Sequence, residues 1–190
     1  MLDRKDCILR DVMVFDLDQI LEWRNSSRIR LNMFTDHEIT RSEHLGWFER
    51  QKHDPKTRVK LFVYKSGPAG IVTFSEIDPD SASANWGFYL GETELPKGCG
   101  LAMGFLALNF AFEEIDLSRV HGESFSFNEA SVGYHRRLGF VGAEPRFKPL
   151  LKNGKYEEIA SFVLLKDAWL RRKPEIEQRI FGEVLCEPSA

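Results

Sequence analysis

The stretch that decides the fold runs from residue 86 to residue 102, where WGFYL (86–90) is followed five residues later by PKGCGLA (96–102). The first part has the aromatic and apolar content of a strand, and the second begins a long apolar run with helical periodicity. Gly98 and Gly100 stand where the strand passes into the helix. Glycines let the backbone approach an anion closely, and the free amides of a helix N-terminus point toward it. The pattern indicates either a pyrophosphate site or a tight turn before a core helix.

Two common nucleotide-binding motifs do not fit this stretch. It lacks the G-x-x-x-x-G-K-[ST] spacing of a P-loop and the third glycine of a dinucleotide fingerprint. Kinase-like and Rossmann-type functions are therefore disfavoured.

Composition excludes several other classes of protein. The 190 residues suit one domain, and 26 Lys+Arg against 29 Asp+Glu give a net charge of -3, so no basic field attracts nucleic acid. The chain has neither an apolar leader nor an uncharged stretch of 18 residues, which argues against secretion and a membrane span. Cys7, Cys99 and Cys186 are widely spaced, and the five histidines show no HExxH pattern, so neither a disulfide framework nor a metal site is expected. We expect a cytoplasmic protein.

Periodicity and turn residues predict the other elements around this stretch. Thr40 and Glu43 form a capping box at the start of one helix, and Gly139 is placed to end another. The predicted strands cover 7–14, 59–64, 69–77, 84–90, 119–125, 140–151 and 156–165, and the predicted helices cover 16–24, 40–52, 98–115 and 128–138. This order predicts a mixed α/β domain over 1–170, whose central strand-helix-strand unit is parallel. Residues 171–190 are expected to form an extension, either helical or loose.

A second informative segment is NEASVGYHRRLGF, residues 128–140. On a helix, Asn128, Ser131 and His135 share one stripe, whereas Tyr134 points elsewhere. These residues could carry chemistry, or they could be a cap, a small packing residue and a solvated histidine.

Together the two segments resemble the GNAT superfamily of acetyl-CoA-dependent N-acetyltransferases. Its loop has the form Q/R-x-x-G-x-G/A and its later helix the form N-x-x-A/S-x-x-x-Y-x-x-x-G-F. Here Leu95 replaces the leading Gln or Arg, and His135 stands where Tyr is commonest. The resemblance covers about 7–165 and implies a mixed, mostly antiparallel twisted sheet with helices on both faces, acetyl-CoA as cosubstrate and no metal. It implies CoA contacts from Phe88, Tyr89, Leu90, Lys97, Gly98, Cys99, Gly100, Leu101, Ala102, Asn128 and Ser131.

The resemblance also implies direct attack of an amine on the thioester within a ternary complex. His135 takes the position of the proton donor to the thiolate, with Tyr134 as the second candidate. Glu123 is the first candidate to accept the amine proton, or it is a strand-edge carboxylate in an ion pair. Glu76 and Asp78 are lower-ranked alternatives.

Pieces nearer the N-terminus resemble the nucleotide-sugar acetyltransferases of pseudaminic acid biosynthesis, a pathway that serves flagellin glycosylation. These pieces are WRNS (23–26), MFTDHEI (33–39) and EHLGW (43–47), taken together with FSEID (74–78) and GFYL (87–90). The implied substrate is the 4-amino group of UDP-4-amino-4,6-dideoxy-N-acetyl-β-L-altrosamine. The implied acceptor contacts are Arg24, Arg30, Met33, Phe34, His44, Trp47 and Glu76.

Alternatives stay open at this point. Met33, Phe34 and Trp47 could be core residues. The acceptor could be a protein N-terminus or another small amine, and the chain could be a non-catalytic acyl-CoA-binding module. A homodimer is compatible with the sequence.

Overall fold

The computed structural model describes residues 1–145 and 147–182. The strands are β1 Cys7–Asp11, β2 Arg58–Tyr64, β3 Gly67–Asp78, β4 Ser83–Leu90, β5 Arg119–Phe125, β6 Val141–Ala143, β7 Leu150–Lys152, β8 Lys155–Glu157 and β9 Ile159–Leu165. The α-helices are α1 Leu17–Asn25, α2 Ser27–Arg30, α3 Arg41–His53, α4 Cys99–Asn109, α5 Glu129–Leu138 and α6 Lys166–Phe181. A π-helical turn, Phe110–Glu114, follows α4, and short 3-10 turns precede β1 and α1.

Seven of these strands form one sheet in the order β1-β2-β3-β4-β5-β9-β6, and β7 and β8 form a separate hairpin. Strands β4 and β5 pair in parallel, and the other neighbouring strands pair antiparallel. The parallel pairing runs from Ser83↔Arg119 to Trp86↔Gly122 and then stops, although both strands continue. The predicted mixed, mostly antiparallel sheet is confirmed, and β4 and β5 separate at Trp86.

Helices cover both faces of the sheet, as predicted. On one face, α4, α5 and α6 pack against the larger apolar cluster, which contains Phe74, Phe105 and Trp169. On the other face, Ile20, Trp23 and Ile29 of α1 and α2 pack against Leu61 and Ile71. The larger cluster buries aromatic side chains from both the sheet and the helices.

Local signals placed the helix ends correctly. At α3, the Thr40 amide donates to Glu43 Oε2 (2.7 Å) and the Glu43 amide donates to Thr40 Oγ1 (3.2 Å). Gly98 caps α4 with φ 104°, and Gly139 ends α5 with φ 96°. Both positions lie in the left-handed region that glycine adopts without steric cost.

The predicted strand 7–14 ends at Asp11, and two other predicted strands are each divided in the structure. The predicted strand 140–151 is divided into β6, at the sheet edge, and β7, in the hairpin. Pro145 and Pro149 lie between them, and proline has no amide to continue strand pairing. The predicted strand 156–165 is likewise divided between β8 and β9.

The segment after β9 is the helix α6, which crosses the expected boundary at residue 171. Ile176 and Ile180 are each 2% exposed, and Trp169 Nε1 donates to Asn109 Oδ1 of α4 at 3.1 Å. The helical part of the extension therefore packs on the body, and residues 183–190, including Cys186, lie outside the described residues. In the part of the chain that the structure describes, no helix is long and apolar enough to cross a bilayer.

Candidate active site

A cleft of about 660 Å³ opens where β4 and β5 separate. It is bounded by these strands, by the start of α4, by α5 and by the segment that follows α2. The predicted site residues that line it are Met33, Phe34, Glu76, Phe88, Tyr89, Leu90, Gly100, Glu123, Asn128, Ser131 and Tyr134. Residues from the predicted cofactor, catalytic and acceptor sets are thus brought together in one cavity.

The edge of β4 supplies backbone groups to this cleft. Phe88 and Leu90 pair with Val72 and Gly70 of β3 on one side of the strand. On the other side, no pairing with β5 continues beyond Trp86 within residues 1–145 and 147–182. An extended ligand arm can therefore hydrogen-bond to β4 as a further strand would.

The N-terminus of α4 lies at the same end of β4. Its first intrahelical bond runs from the Ala102 amide to the Gly98 carbonyl (2.8 Å), so the amides of Gly100 and Leu101 come before it. Lys97 and Gly98 are exposed beside them. First-turn amides and the helix dipole favour an anion at this position.

Other residues of the predicted loop belong to the core. Cys99 and Ala102 are buried, and Leu95 packs against the larger apolar cluster. Burial raises the pKa of the Cys99 thiol, which makes it a poor nucleophile. Among these residues, only backbone groups and the side chain of Lys97 remain for an anion.

Helix α5 presents Asn128, Ser131 and Tyr134 to the cleft. Asn128 caps the helix, because its Oδ1 accepts the Ser131 amide at 3.1 Å. The Tyr134 hydroxyl donates to the Gly100 carbonyl at 2.7 Å, which joins α5 to the first turn of α4. Burial raises the pKa of Tyr134, so the hydroxyl keeps its proton at neutral pH.

His135 lies elsewhere, and this corrects the expectation that it faces a thiolate. Its side chain is fully buried and stacks on Phe162 with ring centroids 4.5 Å apart. Its Nε2 accepts a hydrogen bond from Trp86 Nε1 (3.1 Å), so Nδ1 carries the proton and donates to the Ser131 carbonyl (2.9 Å). Burial lowers the pKa of His135 to about 4, and the ring is therefore neutral with both nitrogens occupied.

The carboxylates occupy three different places. Glu123 lies on β5 and lines the cleft. Glu76 sits at the irregularity in β3, with φ 51°, and its Oε2 accepts from Asn85 Nδ2 at 2.6 Å. Asp78 accepts from the Ser81 hydroxyl (2.6 Å) and the Asp80 amide (3.0 Å), and it lines a neighbouring cavity instead.

The predicted acceptor residues are split between the cleft and the surrounding framework. Met33 and Phe34 reach the cleft. Arg24 and Arg30 do not, because they hold the segment that carries Met33 and Phe34: Arg24 Nη2 donates to the Thr35 carbonyl (2.7 Å) and Arg30 Nη1 to the Asp36 carbonyl (2.9 Å). The predicted site residues that do not line the cleft are Arg24, Arg30, His44, Trp47, Lys97, Gly98, Cys99, Leu101, Ala102 and His135.

His44 and Trp47 form a separate stacked pair on α3, with ring centroids 5.1 Å apart. His44 is buried, and burial lowers its pKa. This pair does not line the cleft, so the expectation that His44 and Trp47 contact the acceptor is wrong.

The cleft residues that sequence reasoning missed include two arginines and an aromatic residue: Arg28, Arg137 and Phe147. Arg28 Nη2 donates to the carbonyls of Leu90 and Gly91, which ties α2 to the end of β4. Arg28 lies two residues after the end of the WRNS segment, so its position was a usable signal. Phe147 lies in a loop between two short strands, where no periodicity indicated its role.

No group of three or more His, Cys, Asp or Glu side chains that could hold a metal ion occurs in 1–145 and 147–182.

Residues 6–141 match the model of the acetyltransferase (GNAT) domain. The chain is 28% identical over 124 residues to the N-acetyltransferase YokL of an SPbeta prophage in Bacillus subtilis (strain 168), which covers 64% of this chain and 68% of that protein.

The fold matches solved structures over nearly their whole length. A spermidine N-acetyltransferase from Vibrio cholerae, solved in complex with CoA and spermine, superposes with a TM-score of 0.81 at 20% identity, covering 87% of this chain and 99% of that one. A dodecameric form of the Vibrio cholerae enzyme superposes with a TM-score of 0.74 at 20% identity, covering 88% and 98%. Because the family model spans well over half of the sequence and the cleft has the geometry described, this chain belongs to the GNAT acetyltransferase family and is an acetyl-CoA-dependent N-acetyltransferase.

Proposed function

We propose that the chain transfers acetyl from acetyl-CoA to the 4-amino group of UDP-4-amino-4,6-dideoxy-N-acetyl-β-L-altrosamine. The observation that carries this proposal is the composition of the cleft, where Met33, Phe34 and Phe147 form an apolar wall in the same cavity as Glu123 and the open edge of β4. The methyl group of a deoxysugar and the face of a uracil ring both suit such a wall. The N-terminal sequence segments support the same substrate.

The cleft also contains cations for the diphosphate of such a substrate. Arg28 and Arg137 line it, and guanidinium groups bind phosphate oxygens through two parallel hydrogen bonds. We assign this role to them in place of Arg24 and Arg30, because Arg24 and Arg30 do not line the cleft.

The reaction is a direct displacement in a ternary complex. The amine nitrogen attacks the thioester carbonyl carbon, and the Leu90 amide stabilises the developing oxyanion. Glu123 accepts the proton that the nitrogen loses, the carbon-sulfur bond breaks, and the departing thiolate takes a proton from Tyr134. Proximity of the two substrates supplies much of the rate.

Tyr134 replaces His135 as the proposed proton donor. Tyr134 lines the cleft and its hydroxyl donates to the Gly100 carbonyl, whereas the neutral ring of His135 lies away from the cleft and is engaged with Trp86 and Ser131. We keep the cytoplasm as the proposed compartment. Acetyl-CoA occurs there, and the free thiols of Cys7 and Cys99 suit its reducing conditions.

A second candidate acceptor is a small cationic amine. Two carboxylates, Glu76 and Glu123, line the cleft, and carboxylates favour a positively charged substrate. The Vibrio cholerae structure was solved with spermine, which is an amine of this class. A protein N-terminus is the remaining enzymatic alternative, and a non-catalytic acyl-CoA-binding module is the non-enzymatic one.

The test compares release of free CoA thiol with three amines: the 4-amino UDP-sugar, spermidine and a peptide with a ribosomal-protein N-terminus. We expect turnover with the sugar to exceed the other two by at least about tenfold in kcat/KM. Glu123→Gln should lower kcat/KM for the sugar by about 100-fold, while Glu129→Gln, on the exposed start of α5, serves as the matched control.

Faster turnover of spermidine or of the peptide would overturn the sugar assignment and leave the acetyltransferase activity intact. Unchanged acetyl-CoA with every amine would favour the binding module.

A further inference from the structure

Lys152 is a buried lysine outside the predicted site. It lies on β7 of the hairpin and is only 3% exposed, and its Nζ donates to the Met33 carbonyl at 2.7 Å and to the Arg30 carbonyl at 3.5 Å. The Asp36 carboxylate lies 3.3 Å from the same nitrogen. A buried ammonium is retained only where such partners replace its water.

Two of the three partners of Lys152, Met33 and Asp36, belong to the segment that enters the acceptor end of the cleft, and Arg30 is the residue just before that segment. We call residues 31–40, between α2 and α3, the acceptor loop; it supplies Met33 and Phe34 to the cleft. Residues close to the acceptor loop in the sequence also hold it in place. Arg24 and Arg30 donate to its backbone carbonyls, and Asn25 exchanges two hydrogen bonds of 2.8 Å with Ile39. Lys152 is a tether from a distant part of the chain.

The same lysine lies beside the aromatic residues that Phe34 contacts. Its Nζ is 5.6 Å from the ring centre of Phe125, and the Phe34 ring meets Phe125 edge to face at 5.2 Å. Phe147, which precedes β7, lies 6.4 Å from Phe34. The hairpin and the acceptor loop therefore meet at Phe34, and Lys152 is the polar link between them.

We propose that Lys152 is a positioning residue that sets the apolar wall of the acceptor site by holding Met33 and Phe34 toward the cleft. This inference rests on the proposed use of that wall by the acceptor. Lys152 acts through the loop and not on the reacting atoms, so its loss should change the KM for the amine and leave acetyl-CoA binding at α4 and β4 unchanged.

The test compares Lys152→Met with Lys155→Met on the same hairpin, where Lys155 is 77% exposed and pairs with Glu157 at 3.3 Å. For Lys152→Met we expect the KM of the amine that gives the fastest turnover among the 4-amino UDP-sugar, spermidine and the peptide to rise about tenfold, because a charged hydrogen bond is lost. The Kd of acetyl-CoA, measured by titration calorimetry, should stay within about twofold. Lys155→Met should leave both constants unchanged.

Hydrogen–deuterium exchange tests the inference without any acceptor. Amides of 31–36 should exchange at least about tenfold faster in Lys152→Met than in the parent chain or in Lys155→Met, because the tether is lost. If Lys152→Met does not fold, Lys152→Gln, which keeps one donor, and Asp36→Asn take its place, with smaller changes in the same direction.

Unchanged exchange of the acceptor loop would overturn the inference, as would equal changes in the amine KM and the acetyl-CoA Kd. Failure of the sugar assignment gives a different result: loop exchange rises as expected, and the kinetic change is seen with another amine.

Discussion

The indole Nε1 of Trp86 donates a hydrogen bond of 3.1 Å to Nε2 of His135, at the point where β4 leaves β5. The bond connects the strand that lines the cleft to α5. Gly122 is needed beside it, because a Cβ at that position would lie 2.3 Å from His135 Nε2 and 2.8 Å from Trp86 Nε1. The bond requires an unprotonated Nε2, so the contact between β4 and α5 depends on a neutral His135.

This neutral histidine should make stability depend on pH. The pKa of His135 is about 4 in the folded chain against 6.5 for an ordinary histidine, so between these values the unfolded chain binds more protons. Its contribution is present above pH 6.5 and is lost as the pH falls to 4, by about 3 kcal/mol in all. Urea unfolding from pH 7 to pH 4 should give a flatter profile for His135→Gln than for the parent chain, and parallel profiles would contradict the prediction.

The two aromatic residues of α5 should separate kinetically. Tyr134→Phe removes the proposed proton donor and should lower kcat by about 100-fold, with the KM for acetyl-CoA changed by less than about threefold. His135→Gln should lower kcat by less than about tenfold, because its ring lies away from the cleft. Steady-state assays of both variants check this, and a reversed order of the two effects would return the acid role to His135.

Two glycines of the β4 segment should differ sharply in stability. A Cβ at Gly91 would lie 1.9 to 2.3 Å from ring atoms of Trp23, whereas a Cβ at Gly87 would meet nothing within 4 Å. Gly91→Ala should therefore cost about 2 kcal/mol or more in the free energy of unfolding, and Gly87→Ala less than about 0.5 kcal/mol. Urea denaturation of the pair measures the difference, and equal effects would mean that Trp23 moves aside freely.

Helix α6 should contribute strongly to the free energy of unfolding. A chain that ends at residue 170 loses Ile176 and Ile180, which are each 2% exposed, and should lose at least about 4 kcal/mol of stability. A chain that ends at residue 182 is the control, because it keeps the whole of α6. Thermal unfolding followed by circular dichroism compares them, and similar midpoints would show that the domain ends near 170.

Much of the fold was predictable because its signals are local. The capping box of Thr40 and Glu43 and the left-handed glycines at Gly98 and Gly139 depend on neighbours a few residues away, and their consequences were read correctly. The division of the run 140–151 was not predicted. Its first strand pairs with β9 and its second with β8, and apolar content does not say which partner a strand will take.

The site was predictable in composition but not in the roles of its side chains. Tyr134 and His135 are adjacent, and the motif favoured His135 for the cleft. Which of them faces the cleft depends on how α5 rotates against β4 and α4, and packing settles that rotation through the Trp86 and Gly100 contacts. Arg24 and Arg30 were expected at the acceptor for their charge, but they do not line the cleft, and each donates to a backbone carbonyl of the acceptor loop.

The sequence by itself determined the family, the order of the main strands and helices as far as α5, and the glycine-containing start of α4, because these depend on residues close together along the chain. Only the tertiary structure decided which side chains meet. The separation of β4 from β5 after Trp86 opens the cleft, and Lys152 reaches the Met33 carbonyl across 119 residues of chain. Contacts between residues so far apart in the sequence depend on how the helices and strands pack together, and no local sequence pattern encodes them.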